Sequence, residues 1–176
     1  MVNIGEVLSS KPRILIADDD DDLRLTLCEY LETCNFAISS ASNGNEAITA
    51  IQSRKHAFDI IFTDLMMPPG PDGMQVLRAA KHVNPLSCVV VMTGYCSIGT
   101  AIESIRSGAF DYLTKPFKLA EIEILATRIL DYLALIGDNK RLSSKLALVA
   151  EKSASIDLRL EKIEALLTTL LAKAGG

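Results

Sequence analysis

The sequence has no tryptophan, only 5% aromatic residues, two histidines and four cysteines in 176 residues. Cys28, Cys34, Cys88 and Cys96 show no CxxC spacing, and His56 and His82 lie far from them in sequence, so a zinc site is not expected and the thiols read as reduced. No large excess of one charge exists either. Residues 1–136 carry 11 basic and 17 acidic groups and residues 137–176 carry 7 and 5, giving -6 and +2 within a net charge of -4. Neither part is basic enough for a nucleic-acid footprint, so no direct nucleic-acid binding is expected. The stretch from Met1 to Lys11 lacks a basic region followed by an apolar one, so no secretory signal is visible. The longest apolar region, Ile122 to Ile136, is interrupted by Arg128 and Asp131, which excludes an ordinary membrane span. The chain reads as cytoplasmic, with no membrane partner.

What is present is 49% apolar residues in a chain long enough for one well-cored domain and an appendage. Apolar runs of strand length, at Arg13–Ala17, Phe36–Ser40, Phe58–Thr63, Cys88–Met92 and Phe110–Thr114, alternate with segments of helical period. That alternation predicts an α/β fold with a parallel sheet, and three of the runs are as continuously apolar as strands covered on both faces should be. The first helix, opened by Asp20–Asp22, should turn Leu23, Leu27, Tyr30 and Leu31 inward. The second starts near Asn43-Gly44-Asn45 and buries Ala47, Ile48 and Ile51. A third, from about Gly73, uses Met74, Leu77 and Ala80 or Lys81. Ser97 opens a fourth, whose inner stripe is expected to be Ile98, Ile102 and Ile105, with Gly108 ending it. A fifth, near Leu119, turns Ile122, Leu125, Ile129 and Leu133 inward.

The residues at the ends of these runs carry the chemistry. Asp18 and Asp19 follow the first, Asp64 the third, Thr93 the fourth and Lys115 the fifth, and parallel sheets bind ligands outside the carboxyl ends of their strands. Taken singly, each has a bland reading as a helix cap, a strand exit or a turn. Their joint occurrence at separate strand ends points instead to a site. Two like carboxylates about 4 Å apart repel by roughly 4 kcal/mol at an effective dielectric near 20, and a hard divalent cation, Mg2+ first among them, relieves that. Asp19, with Asp18 beside it, would anchor the metal, while Asp64 would ligate it and attack phosphorus, with Lys115 neutralising the charge.

Residues 11 to about 134 resemble the receiver domain of two-component response regulators. The resemblance rests on Ile14-Leu15-Ile16-Ala17-Asp18-Asp19, Phe62-Thr63-Asp64-Leu65-Met66-Met67-Pro68 with Asp72-Gly73, Met92-Thr93-Gly94, and Gly108-Ala109-Phe110-Asp111-Tyr112-Leu113-Thr114-Lys115-Pro116-Phe117, and covers about three quarters of the chain. It implies a five-stranded sheet in the order 2-1-3-4-5 with helices on both faces. It also implies that Asp64 accepts a phosphoryl group from a sensor histidine kinase or a histidine phosphotransfer protein. Asp19 and Asp64, with the backbone carbonyl of Met66 and help from Asp18, would bind Mg2+. Lys115 would pair with a phosphoryl oxygen, and Thr93 and Tyr112 would form the switch. A cis peptide at Lys115-Pro116 is expected. Phosphoprotein chemistry of this kind makes the chain a signalling domain, not an enzyme, and calls for no organic cofactor. A flavin-type module would need a phosphate-cradling first loop, and five consecutive aspartates there would repel a phosphate.

This chain departs from the family pattern in two places. Three residues, Pro69-Gly70-Pro71, separate Pro68 from Asp72-Gly73 where the family commonly has two. Met66 and Tyr95 hold the two positions that tune phosphate lifetime, and neither can orient attacking water through a carboxylate or amide, so slow self-dephosphorylation is expected. Met66 also stands where an aspartate-nucleophile phosphatase would need its second carboxylate.

Beyond Gly137-Asp138-Asn139, which reads as a break, Leu142, Leu146, Val149, Ile156, Leu160, Ile163, Leu167 and Leu170 follow a 4-3 spacing with Ser153 in the one gap. This heptad seam over residues 138–174 predicts an extended helix for oligomerisation or partner docking. With Leu146, Ser153, Leu160 and Leu167 at position a, Lys152 faces Asp157 and Arg159 faces Glu164 between parallel chains, which favours a homo-oligomer. Apolar Leu166 and Leu171 widen the seam. The competing expectations are an amphipathic helix folded back on its own domain or on a partner and, for the whole chain, a receiver-fold scaffold or oligomerisation protein whose phosphorylation is vestigial.

Overall fold

The computed structural model describes residues 11–53, 58–94 and 97–174, with side chains as far as Lys152. Five strands alternate with five helices: β1 Arg13–Ala17, α1 Asp21–Thr33, β2 Ala37–Ala41, α2 Gly44–Gln52, β3 Ile60–Asp64, α3 Gly73–Val83, β4 Cys88–Thr93, α4 Ile98–Arg106, β5 Asp111–Thr114 and α5 Leu119–Ala174. The strands form one parallel sheet in the order β2-β1-β3-β4-β5. The central strands are sealed on both faces. Ile14, Ile60, Phe62, Val89, Val90 and Met92 are essentially without solvent exposure, which is why these segments read as unbroken apolar runs.

Local chemistry sets where each helix begins. Asp20 caps α1 by accepting from the amides of Asp22 and Leu23, Asn43 caps α2, Asp72 and Gln75 close a reciprocal capping box on α3, and Ser97 caps α4. The inward faces of α1, α2 and α3 follow their sequence patterns, with Leu27, Leu31, Ala47, Ile51, Met74, Leu77 and Ala80 buried. In α5, Ile122, Leu125 and Ile129 are buried, while Leu133 is only half-buried.

Helix α4 departs from expectation. Ile98, Ile102 and Ile105 are 80%, 46% and 51% exposed, and the one residue α4 buries is Ser104. A helical stripe of isoleucines fixes a face but not the direction it points. Small hydroxylated residues on the opposite face let α4 sit close to its neighbours, and the stripe is left outward. A second correction concerns Gly137, which does not break the chain: α5 runs through it. A glycine inside a helix costs about 1 kcal/mol against alanine but keeps its amide and its helical geometry.

Two compact units result, Met1–Leu130 and Asp131–Gly176. Among the described residues no helix is long and apolar enough to cross a membrane. Cys28, Cys34 and Cys88 are free thiols, while Cys96, His56 and Tyr95 lie outside the described residues.

Candidate functional site

The register of the sheet brings the strand ends together. Ala17 pairs with Thr63, Asp64 with Met92 and Thr93 with Thr114, so Asp18, Asp64, Thr93 and Lys115 emerge on one rim across four adjacent strands. Asp64 and Thr93 are the last residues of their strands, one position earlier in the exit than the sequence pattern suggested. Three carboxylate oxygens, one each from Asp18, Asp19 and Asp64, lie within 4.8 Å of one another. Asp18 is fully buried, Asp64 nearly so, and Asp19 exposed.

Lys115 binds this cluster. Its Nζ lies 2.7 Å from Asp18 Oδ2 and 2.6 Å from Asp64 Oδ2, and its own amide donates to the Thr93 carbonyl at 2.7 Å. Burial pulls the Lys115 ammonium down, but hydrogen bonds and charge from Asp18 and Asp64 outweigh it and hold the group above its ordinary value. Asp18 is driven up by burial, with the Asp64 charge adding a little; Lys115 and the Asp20 amide oppose the shift without cancelling it. The Lys115-Pro116 peptide is cis, as is Pro68-Pro69.

The five consecutive aspartates divide their labour. Asp18 Oδ1 accepts from the Asp20 amide, Asp20 caps α1, and Asp21 pairs with Arg24. Arg24 also donates to the Asp18 carbonyl at 2.7 Å, tying α1 to the site. On the other side, Met66 donates its amide to Asp64 Oδ1 at 3.2 Å while its side chain is 61% exposed. Gly73 lets α3 approach closely: a Cβ there would stand 2.2 Å from the Asp64 carbonyl oxygen. The Pro69-Gly70-Pro71 loop is pressed on the start of α2, where a Cβ at Gly44 would meet the Pro71 carbonyl oxygen at 2.0 Å. Tyr112 is half-buried on β5, its hydroxyl 3.2 Å from Thr100 Oγ1.

This donor set fits a hard divalent cation. All three ligating groups are carboxylates, the donors such an ion prefers, and the single Lys115 ammonium offsets only one of their charges.

A family model described as the response regulator receiver domain matches residues 14–127. The chain belongs to the response regulator receiver family. The chain is 32% identical over 119 residues to the DNA-binding transcriptional regulator NtrC of Salmonella typhimurium, covering 68% of this chain and 25% of that protein. It is 32% identical over 140 residues to the regulatory protein AtoC of Escherichia coli, covering 77% and 29%. The receiver chain thus spans between a quarter and a third of the length of these curated relatives. A two-component response regulator from Clostridium difficile superposes with a TM-score of 0.64 at 31% identity, over 70% of this chain and 98% of that one. A response regulator from Burkholderia pseudomallei, solved with a phosphorylated aspartic acid, a calcium ion and citrate, gives 0.59 at 28% identity, over 69% and 75%. Acceptance of a phosphoryl group on an aspartate from a kinase is the general function of receiver domains.

Every residue expected at this receiver's strand ends is therefore on one rim. Arg24 and Thr100 were missed as site neighbours and left no local signal, whereas Gly73 was already part of the Asp72-Gly73 motif, without its close approach to Asp64.

Proposed function

We propose that this receiver takes up a phosphoryl group on Asp64 from a sensor histidine kinase or a histidine phosphotransfer protein. The supporting observations are the three carboxylates gathered within 4.8 Å and the unequal holding of the two Asp64 oxygens: Oδ2 is fixed by Lys115 at 2.6 Å, whereas the bond from the Met66 amide to Oδ1 is long, at 3.2 Å. An Asp64 oxygen attacks phosphorus as the bond from phosphorus to the donor's imidazole nitrogen breaks, and the electron pair leaves with that nitrogen, which takes a proton. Asp18, Asp19, Asp64 and the Met66 backbone carbonyl would hold Mg2+, which when bound offsets the charge gathering on the phosphoryl oxygens. Lys115 stays within reach of one such oxygen, and the Thr93 hydroxyl would contact another. Tyr112 would then turn inward as Thr93 moves. The calcium ion and phosphorylated aspartic acid in the Burkholderia pseudomallei regulator support both assignments.

The test is magnesium-dependent labelling by a radioactive small phosphodonor. Wild type should label and Asp64→Asn should not, and label retained in the variant refutes Asp64 as acceptor. Mg2+ should raise the melting temperature of wild type but not of Asp19→Ala, because only an intact site gains stability by binding. Exposed, apolar Met66 supports slow hydrolysis of the phosphorylated form.

The same reading gives residues 138–174 an oligomerisation role and the domain the range 11–134. Leu142, Leu146 and Val149 are 57%, 62% and 63% exposed along one helix, apolar surface that a second parallel copy would cover. Light scattering with and without residues 138–176 checks this; the same monomer mass in both rejects it. Free thiols at Cys28, Cys34 and Cys88 go with a cytoplasmic location.

A further inference from the structure

Two glycine contacts in series connect the start of α2 to the backbone of Asp64. At the first, Pro71 rests directly on Gly44: a Cβ there would stand 2.0 Å from the Pro71 carbonyl oxygen, 2.8 Å from its carbonyl carbon and 3.0 Å from its Cβ. At the second, Gly73 lies on β3, where a Cβ would stand 2.2 Å from the Asp64 carbonyl oxygen and 2.9 Å from Leu65 Cα, and its amide donates to the Leu65 carbonyl at 3.0 Å. Pro71, Asp72 and Gly73 are consecutive, and Asp72 is locked between them. Its amide donates to Gln75 Oε1 at 3.0 Å while its own Oδ1 accepts the Gln75 amide at 2.8 Å. A displacement at Pro71 therefore passes to Gly73 and on to residues 64–66.

The seat itself is stiff. Asn43 Oδ1 accepts the Glu46 amide at 2.9 Å, Glu46 Oε2 accepts the Ser42 amide and hydroxyl at 2.8 and 2.9 Å, and Ala47 and Ile51 fix the helix in the core. Just before it, the Ala41 carbonyl accepts the Asp18 amide at 3.2 Å, so the same segment is also joined to the other side of the rim. A loop lengthened by Pro69-Gly70-Pro71 has more conformations to lose, and a fixed support removes them before any ligand arrives. Mg2+ demands near-ideal octahedral geometry at short distances, so small shifts of its ligands register as lost affinity.

We propose that Gly44 is a positioning residue for the metal: the first turn of α2, acting through Pro71 and Gly73, holds the Asp64 and Met66 backbone at the spacing a divalent cation requires. This rests on the reading that Asp64 and the Met66 carbonyl hold Mg2+. Gly44→Ala places a methyl group where the Pro71 carbonyl now lies and drives the loop off its seat. Pro71→Gly adds no bulk but removes the ring that lies against Gly44, leaving the loop freer. Ile51→Val trims the same helix in the core, away from the seat.

The experiment is calorimetric titration of the full chain with Mg2+, each variant first shown by circular dichroism to be folded at the working temperature. Gly44→Ala should raise the Kd for Mg2+ about tenfold and Pro71→Gly about threefold, as expected when the support behind a metal ligand is disturbed. Ile51→Val should lower the melting temperature and keep the wild-type Kd. In labelling by a small phosphodonor, Gly44→Ala should change the Mg2+ concentration for half-maximal rate more than it changes the rate at saturation. A Kd for Gly44→Ala equal to that of wild type overturns the proposal. So does an equal loss of affinity in Ile51→Val, which would mean that affinity follows the stability of α2 in general. Should Gly44→Ala not fold, Pro71→Gly decides, and a wild-type Kd there overturns the proposal. Failure of the underlying reading looks different: wild type and Asp19→Ala would bind Mg2+ alike, or neither would bind it, whatever the Gly44 variant does.

Discussion

The carboxyl rim of the sheet and helix α4 are near neighbours built on opposite terms. At the rim, charged groups are buried and hold one another: Asp18 is fully buried, and Lys115 bridges it to Asp64 through contacts of 2.7 and 2.6 Å. On α4, apolar groups are exposed and hydroxyls make the contacts. The rim therefore tolerates little change without cost, whereas α4, whose isoleucines are exposed and whose buried residue is Ser104, is held by little apolar burial. A signalling domain needs both: a site whose geometry persists, beside an element that can move.

The comparison breaks most visibly if Lys115 turns out to be dispensable. Removing one partner of a buried ionic group leaves the other charges unpaired, so Lys115→Met should lower stability by about 3 kcal/mol, read by urea denaturation at pH 7 in the absence of Mg2+. A loss under about 1 kcal/mol would mean that solvent already screens the rim. On α4 the expectation runs the other way. Ile102→Ala should change stability by less than about 0.5 kcal/mol, since nearly half of that side chain is in water, although its position in the apolar stripe would suggest a core residue. A cost of about 2 kcal/mol or more would put Ile102 inside the core.

What could be read in advance divides along the same line. The sheet was legible because doubly covered strands must be continuously apolar, and parallel strands deliver their ends to one rim. Both facts follow from covalent geometry and burial, so Asp18, Asp64, Thr93 and Lys115 could be placed together before any coordinates. Helix α4 was legible as a helix but not in its orientation. Period 3.6 identifies a stripe, and only the neighbours decide whether the stripe meets a core or water; here Thr100 and Ser104 supply the close approach instead. Arg24 reaching the Asp18 carbonyl, and Thr100 reaching Tyr112, are contacts made by the fold between elements, with no local pattern to announce them. Gly137 shows the remaining gap, since a residue that weakens a helix locally need not end one.

The smallest expected effect tests the far side of the domain, where α1 and the packed part of α5 are joined at the surface. Tyr30 donates its hydroxyl to Glu123 Oε2 at 2.6 Å, and this carboxylate hydrogen bond, with lesser help from desolvation and the Glu123 charge, pushes the phenol up to about 12. The sign follows from linkage. The folded value lies above the unfolded one of about 10, so whatever the bond contributes is fully present below pH 10 and is lost as pH rises through about 12. Ultraviolet titration of the phenolates should therefore show one tyrosine ionising about two pH units above an ordinary one, and Glu123→Gln should return it toward 10. Because the pair is exposed, that variant should leave the melting temperature at neutral pH almost unchanged. A clear loss of stability in Glu123→Gln would show that the outer surface of this domain, like its rim, is held by charge.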